Sequence, residues 1–458
     1  MSEAIALSSL RRSFRGGVPA VIATASADGT PNVTYLSSVH LVDDERVALS
    51  NQFFSKTSAN LIENPRASVL VIDPVTYDEH RLELVFERTE RRGPLFESLR
   101  EEVDAVAALS GMASVFRLRA ADVYRVVHVE PVLGAAARRG EPGPSVPAPM
   151  EVATAAARLA ELTGRLGRAP DLDRLVAATV AGLDELLGYR HSMLALRDEV
   201  GERLYVIASH GYDAEGVGSE VAIGDGPMGL AAQRAAPVRV GALQQMTKYG
   251  RTVRRSMEGA DPERDIPVPG LAGAQSVVAV PAMAMGQLVG VLAVETTEPI
   301  AFDETDQALL SVVASVVANA VETDRARELR VDDGDQGPPV PGPPGEPVAG
   351  PAAVVRCYPE DGSVFVDGEY LIKGVAGRIL WSLLQAHAED GRVDFTNREL
   401  RLDPSLGLPE HRDNLESRLI LLKRRLDERD APVRIDKTGR GRFRLRVATA
   451  LRTECGDG

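Results

Sequence analysis

A chain of 458 residues is too long for one hydrophobic core and implies about three domains. Its net charge of -14 and pI near 5.2 exclude a general attraction to nucleic acid or anionic lipid, leaving such binding to a local basic patch. The only two cysteines, Cys357 and Cys455, form no CxxC, which excludes a disulfide framework and a cysteine-built zinc or iron–sulfur site and fits a reducing cytoplasm.

The opening MSEAIALSSLRRSFRGG lacks the long apolar core of an export signal. Strand-like runs at residues 18–26 and 31–40 flank Asp28-Gly29, a tight hairpin signal, and a third strand at 47–50 follows the polar turn Asp43-Asp44-Glu45-Arg46. The sequence SNQFFSKTSANLIENPR, 50–66, then predicts a short helix opening at Ser55-Lys56-Thr57. Free backbone N–H groups at such a helix start, with a compact lysine cation, suit a phosphate; S-K-T is also an ordinary cap followed by a surface lysine. Strands at 67–72, 81–90 and 114–129 and a helix at 94–108 complete a small antiparallel barrel over residues 7–130. His40, His80 and His128 form no H-x-x-x-H pair and read as packed or surface residues, so no metal site is expected.

The segments GTPNVTYLSS, LSNQFFSKTSANL and NPRASVLV make this region resemble the pyridoxamine 5'-phosphate oxidase-like split barrel that binds FMN. The resemblance implies a cofactor site at Thr34, Ser50, Asn51, Ser55, Lys56 and Thr57 along the flavin phosphate and ribityl chain, with Lys56 central. FMN is the expected cofactor; deazaflavin and haem are the alternatives. Basic and aromatic positions that hold the vitamin substrate in the true oxidase have no counterpart after Val129, and no acid–base pair stands near the site. Catalytic residues therefore stay unknown.

After the linker at 139–149, helices are expected at 152–166 and 172–187, strands at 192–197 and 203–209, a glycine-rich turn into a helix at 224–235, and a long helix at 304–329. The apolar run 276–295 approaches membrane-spanning length, but Pro281 and Gly286-Gln287 interrupt it where a hairpin would turn, so two buried strands and no membrane are expected. Residues 150–329, through GDGPMGLAAQRAAPVRV and SVVAVPAMAMGQLVGVLAVET, resemble a GAF sensory domain, an α/β fold that takes a small-molecule ligand or dimerises. The domain holds no cysteine, which excludes a bilin attached through one, and His191 and His210 make no convincing metal pair. Residues 248–265 read either as a pocket lid or as a solvated loop. The stripe of Leu309, Leu310, Val313, Val316, Val317, Ala320 and Val321 suits a dimer axis or the domain's own sheet, and a homodimer through the barrel and the GAF helices is expected.

Residues 330–352, rich in Pro and Gly, predict a mobile tether. Beyond it, over 353–447, a hairpin at Asp367-Gly368, a helix at 375–387, a Thr396-capped helix, a longer helix at 410–429 and strands at 433–436 and 442–447 make a small α+β domain. LESRLILLKRRLDE and IDKTGRGRFRLRV resemble the recognition helix and wing of a response-regulator-type winged helix. Residues 415–446 carry 11 Lys+Arg against 5 Asp+Glu, a local +6 that fits a phosphate-facing surface. Arg418, Lys423, Arg424, Arg425, Lys437, Arg440 and Arg442 are the DNA-binding candidates; Leu415, Leu419, Leu422 and Leu426 form a core stripe in any reading, and Leu421 stands where the family places a polar side chain. The three domains in this order imply a cytoplasmic ligand- or redox-sensing transcriptional regulator that binds DNA. A flavin-dependent oxidoreductase with regulatory later domains is the alternative.

Overall fold

The computed structural model describes residues 5–14, 20–36, 38–51, 55–74, 76, 78–109, 117–132, 151–198, 203–241, 268–332, 352–408, 415–439 and 441–456. The first domain holds β1 (Ala20–Ala25), β2 (Pro31–Leu36), β3 (Val39–Leu41), β4 (Arg46–Asn51), α1 (Ser55–Glu63), β5 (Arg66–Ile72), β6 (Glu79–Glu90), α2 (Pro94–Leu109) and β7 (Ala120–Pro131). Its seven antiparallel strands run in the order β2-β1-β5-β6-β7-β4-β3, curled so that β2 approaches β4 around a core that includes Ile22, Val47, Leu49, Val69, Leu82 and Tyr124. The single strand expected at 31–40 is two strands: β2 pairs with β1, whereas β3 pairs with β4, and the Ser38 amide donates to Ser50 Oγ at 3.0 Å where the partner changes.

The second domain comprises α3 (Val152–Gly167), α4 (Leu172–Leu187), β8 (His191–Arg197), β9 (Arg203–His210), β10 (Glu220–Ala222), α5 (Gly226–Arg234), β11 (Val238–Val240), β12 (Ser276–Ala284), β13 (Gln287–Thr296) and α6 (Glu304–Asp332). The sheet order is β10-β9-β8-β13-β12-β11, all antiparallel. One face packs on α3, α4 and α6, the other on α5. Asp171 caps α4 by accepting from the Arg174 amide, and Gly188 ends it at φ 79°. Gly229 is required where α5 meets β10, since a Cβ there would stand 2.2 Å from the Ala222 carbonyl. The run 276–295 is the expected pair of buried strands, and no helix of the described residues is long and apolar enough to cross a membrane. Leu309, Leu310, Val313, Val317 and Val321 are buried by this domain's own sheet and helices.

The third domain contains β14 (Ala353–Tyr358), β15 (Ser363–Val366), β16 (Glu369–Ile372), α7 (Gly374–Asp390), β17 (Asp394–Thr396), α8 (Asn397–Leu402), α9 (Leu415–Glu428), β18 (Val433–Gly439), β19 (Arg442–Val447) and β20 (Leu451–Cys455). One sheet runs β16-β15-β14-β20, with β14 and β20 parallel and Cys357 in register with Cys455; the other runs β17-β19-β18. Asp367 and Gly368 turn the β15–β16 hairpin with φ of 51° and 85°. Thr396 and Glu399 complete a capping box on α8.

The domains touch. Arg234 Nη2 donates to the Asp104 carbonyl at 2.8 Å, joining α5 to α2, and His40 faces Glu102 at 3.5 Å close to this seam. A single buried cluster runs from α4 and β9 into the third domain, so the expected freedom of that domain gives way to docking in this arrangement. Most of the tether lies outside the described residues.

Candidate functional site

In the first domain, β2 and β1 pair Asn32 with Thr24 and Thr34 with Ile22, which places Asn32 and Thr34 on one face of β2, beside α1. Asn32 Nδ2 donates to Thr57 Oγ1 at 3.0 Å, which leaves the buried Thr57 hydroxyl its own proton to give. Asn51 Nδ2 donates to Ser58 Oγ at 3.4 Å and to Asp122 Oδ2 at 2.8 Å, while Asp122 Oδ1 accepts from Thr89 Oγ1 at 2.7 Å. A continuous polar network thus fixes the start of α1 against β4, β6 and β7. Ser50, 1% exposed, accepts from the Ser38 amide and is a structural link between β3 and β4.

Lys56 is exposed on the first turn of α1 and makes no ion pair among the described residues. Hydrogen bonds from Ser26 Oγ at 2.6 Å and the Thr30 amide at 3.0 Å hold the nearby Asp28 carboxyl at about 2, with a small contribution from the Lys56 charge. The side chain of Ser55 lies outside the described residues. A cation, a hydroxyl with a spare proton and the N–H groups of a helix start are the donor set a phosphate needs, so these residues fit the phosphate end of FMN. Of the six expected cofactor residues, Thr34, Lys56 and Thr57 lie on β2 and α1 around this cradle, whereas Ser50 and Asn51 act behind it. Asn32, Ser58, Thr89 and Asp122 were not anticipated; an acid in the apolar stretch of β7 was the available signal for Asp122.

The third-domain candidates are differently placed. Arg424 donates from Nε to Asp173 Oδ1 at 2.9 Å, from Nη2 to the Asp173 carbonyl at 2.9 Å and from Nη1 to the Ile207 carbonyl at 3.4 Å. Arg418 Nη2 meets Asp198 Oδ1 at 2.5 Å, and its guanidinium lies 4.4 Å from the Tyr205 ring centroid. Lys423 reaches Asp427 at 3.4 Å and Asp173 at 3.6 Å. Burial pushes the Asp173 carboxyl up, but the Arg424 and Lys423 charges outweigh it and leave the group below its ordinary value. Arg425 is 6% exposed and serves its own domain, donating to the Leu371 carbonyl at 2.8 Å and Glu428 at 2.7 Å. Lys437 pairs with Glu416 at 2.5 Å, and Lys423, Lys437 and Arg442 line a cleft of about 230 Å³ together with Glu416, Asp171, Asp173 and Arg174. Arg440 lies outside the described residues, as does the candidate lid at 248–265. Among the described residues no group of three or more His, Cys, Asp or Glu side chains is placed to hold a metal ion.

Residues 10–127 match the family model for pyridoxamine 5'-phosphate oxidase, and residues 171–321 match that for the GAF domain. Among solved structures, the GAF domain of a phosphoenolpyruvate-protein phosphotransferase from Coxiella burnetii aligns at 20% identity over 39% of this chain and 99% of that one, with a TM-score of 0.32. An FMN-binding protein from Syntrophomonas wolfei aligns at 19% identity over 26% of this chain and 82% of its own, TM-score 0.23. An uncharacterised protein of Methanocaldococcus jannaschii is 40% identical over 50 residues, which is 10% of this chain and 34% of that protein. The chain thus spans about a third of that curated relative.

Proposed function

We propose that this protein, with a pyridoxamine 5'-phosphate oxidase-like domain followed by a GAF domain, is a ligand- or redox-sensing transcriptional regulator whose third domain is a DNA-binding winged helix. The observation that carries the flavin half is Lys56, exposed on the first turn of α1 without an ion pair among the described residues, beside the Thr57 hydroxyl and over the Asn32, Asn51 and Asp122 hydrogen bonds. Lys56, Thr57 and Thr34 would hold the phosphate end of FMN; when bound, the flavin ring supplies electron-transfer chemistry of its own. The chain's part is to bind and orient it, and a small molecule on the GAF domain is the second input.

The DNA half is supported by the order β17, α8, α9, β18, β19, in which a basic helix precedes an antiparallel hairpin and β17 adds the third strand. The test is a pair of measurements on purified full-length protein. Lys56→Ala is expected to lower flavin absorbance per chain, and Lys437→Glu with Arg442→Glu to abolish retardation of duplex DNA while leaving the absorbance unchanged. Absorbance unaffected by Lys56→Ala would remove the cofactor assignment, and DNA binding unaffected by the wing variant would remove the winged-helix assignment.

A further inference from the structure

An amphipathic helix on the surface of a small domain buries one stripe and leaves the other in water. In α9 the core stripe is Leu415, Leu419, Leu422 and Leu426, all buried. At 100° per residue, Ile420, Leu421 and Arg424 fall on the opposite side of the helix. That side should be wet, yet Ile420 is 4% and Leu421 3% exposed, and Arg418, on the flank between Leu421 and the core stripe, is 9% exposed. The second domain covers them, since α9 packs on α4 and β9.

The cover is chemically specific. Asp173, in the first turn of α4, takes Arg424 through its carboxylate and its carbonyl, and Asp198, at the end of β8, takes Arg418. Two further contacts fix the same docking: Glu428 Oε1 accepts from the Gly216 amide at 3.0 Å, and Lys373 lies 3.3 Å from Glu220. The wing residues Lys437 and Arg442 share the cleft described above with Asp171, Asp173 and Arg174. The covered face therefore combines guanidinium groups held by carboxylate oxygens with apolar side chains between them.

We propose that the GAF domain is an intramolecular substitute for a nucleic-acid backbone, in which Asp173 and Asp198 occupy the anion positions of Arg424 and Arg418 and withhold the outer face of α9 from DNA. The proposal rests on the winged-helix reading above and adds its regulation. While the domains are docked, α9 cannot enter a groove, because the face that would enter is already buried. The observed affinity for DNA is then the intrinsic affinity reduced by the fraction of molecules that are undocked. Leu421, out of place on a base-reading face, fits a face whose resting partner is the side of a protein domain.

The test uses the full chain with Asp173→Asn and Asp198→Asn, substitutions that keep the shape of each side chain and remove its charge. The probe is a 40-base-pair duplex of mixed sequence at fixed low salt, read by fluorescence anisotropy, beside hydrogen exchange of residues 415–428. The expected result is DNA affinity raised about tenfold over the parent, with faster exchange on α9, and loss of the gain when Arg424→Glu is added. Equal binding by parent and variant overturns the latch and keeps the DNA reading. If neither binds, the DNA reading falls, and exchange decides the docking: faster exchange in the variant shows that the carboxylates hold α9, and unchanged exchange overturns that as well. Each single Asp→Asn variant, compared by its melting curve with the parent, shows whether either substitution damages folding.

Discussion

Lys56 and Arg424 carry the same charge, and both read from the sequence as phosphate contacts, but their surroundings are opposite. Lys56 stands exposed over a helix start that uncharged side chains brace from behind, with Asn32 on Thr57 and Asn51 on Asp122. Arg424 is held by three oxygens of another domain. An anion arriving at Lys56 breaks no ion pair among the described residues, whereas one arriving at Arg424 must first break ionic and hydrogen-bond contacts worth more than a typical surface pair. In the reading proposed above, the first site is open to its ligand and the second binds on condition. That contrast suits an input at one end of the chain and an output at the other.

The contrast can be broken most sharply at Arg425. If this residue anchors its own domain, Arg425→Ala should cost about 2–4 kcal/mol of that domain's stability by removing the buried guanidinium from the Leu371 carbonyl and from the half-buried Glu428. Loss of hydrogen-exchange protection on β18 and β19 reads it; a variant with full protection would return Arg425 to the set available for DNA. Next in size is Asp122→Ala, which strands the Asn51 and Thr89 donors and should destabilise the first domain by about 2–4 kcal/mol, measured by urea unfolding. If that variant keeps both stability and flavin, the network is not what braces α1.

Acid sharpens the comparison further. Asp173 is held below its ordinary value of 3.8, so its contribution to docking is complete above that pH and is lost as pH falls through the lower folded-state value. Exchange on α9 should therefore rise below about pH 4 in the parent and show no such rise with Asp173→Asn. The smallest effect belongs to Lys56→Ala, whose stability should stay within about 0.5 kcal/mol of the parent, because the side chain is exposed and makes no ion pair among the described residues.

Much of this architecture was legible because its elements are long and periodic. The leucine stripe of α9, the Thr396 cap with its Glu399 partner, the Asp28-Gly29 and Asp367-Gly368 turns and the interrupted run at 276–295 each carry their structure in local chemistry. The strands that escaped were mostly three to six residues long: β10, β11, β14, β17 and β20. Such segments hold too few alternations to declare a face, and their pairing is set by distant neighbours such as the β14–β20 register. In the cofactor cradle the motif identified α1 and Lys56, but not the supports, since Asp122 lies 71 residues from Asn51 in the chain. The docking of α9 escaped for a related reason. Ile420 and Leu421 lie off the core stripe, a visible anomaly, but nothing in the order of residues says which surface will cover them.

The parallel pairing of β14 with β20 sets an order of events during synthesis. The first strand of the third domain has its partner at Leu451–Cys455, so that sheet is completed only after all the residues between the two strands have been made. The GAF domain, whose sheet and helices end with α6, is finished much earlier, and domains fold as units as they emerge. Asp173 and Asp198 are therefore in place before Arg418 and Arg424 are translated, and α9 leaves the ribosome into the company of its own acceptors. In the latch proposed above, the acceptors thus precede the helix they hold.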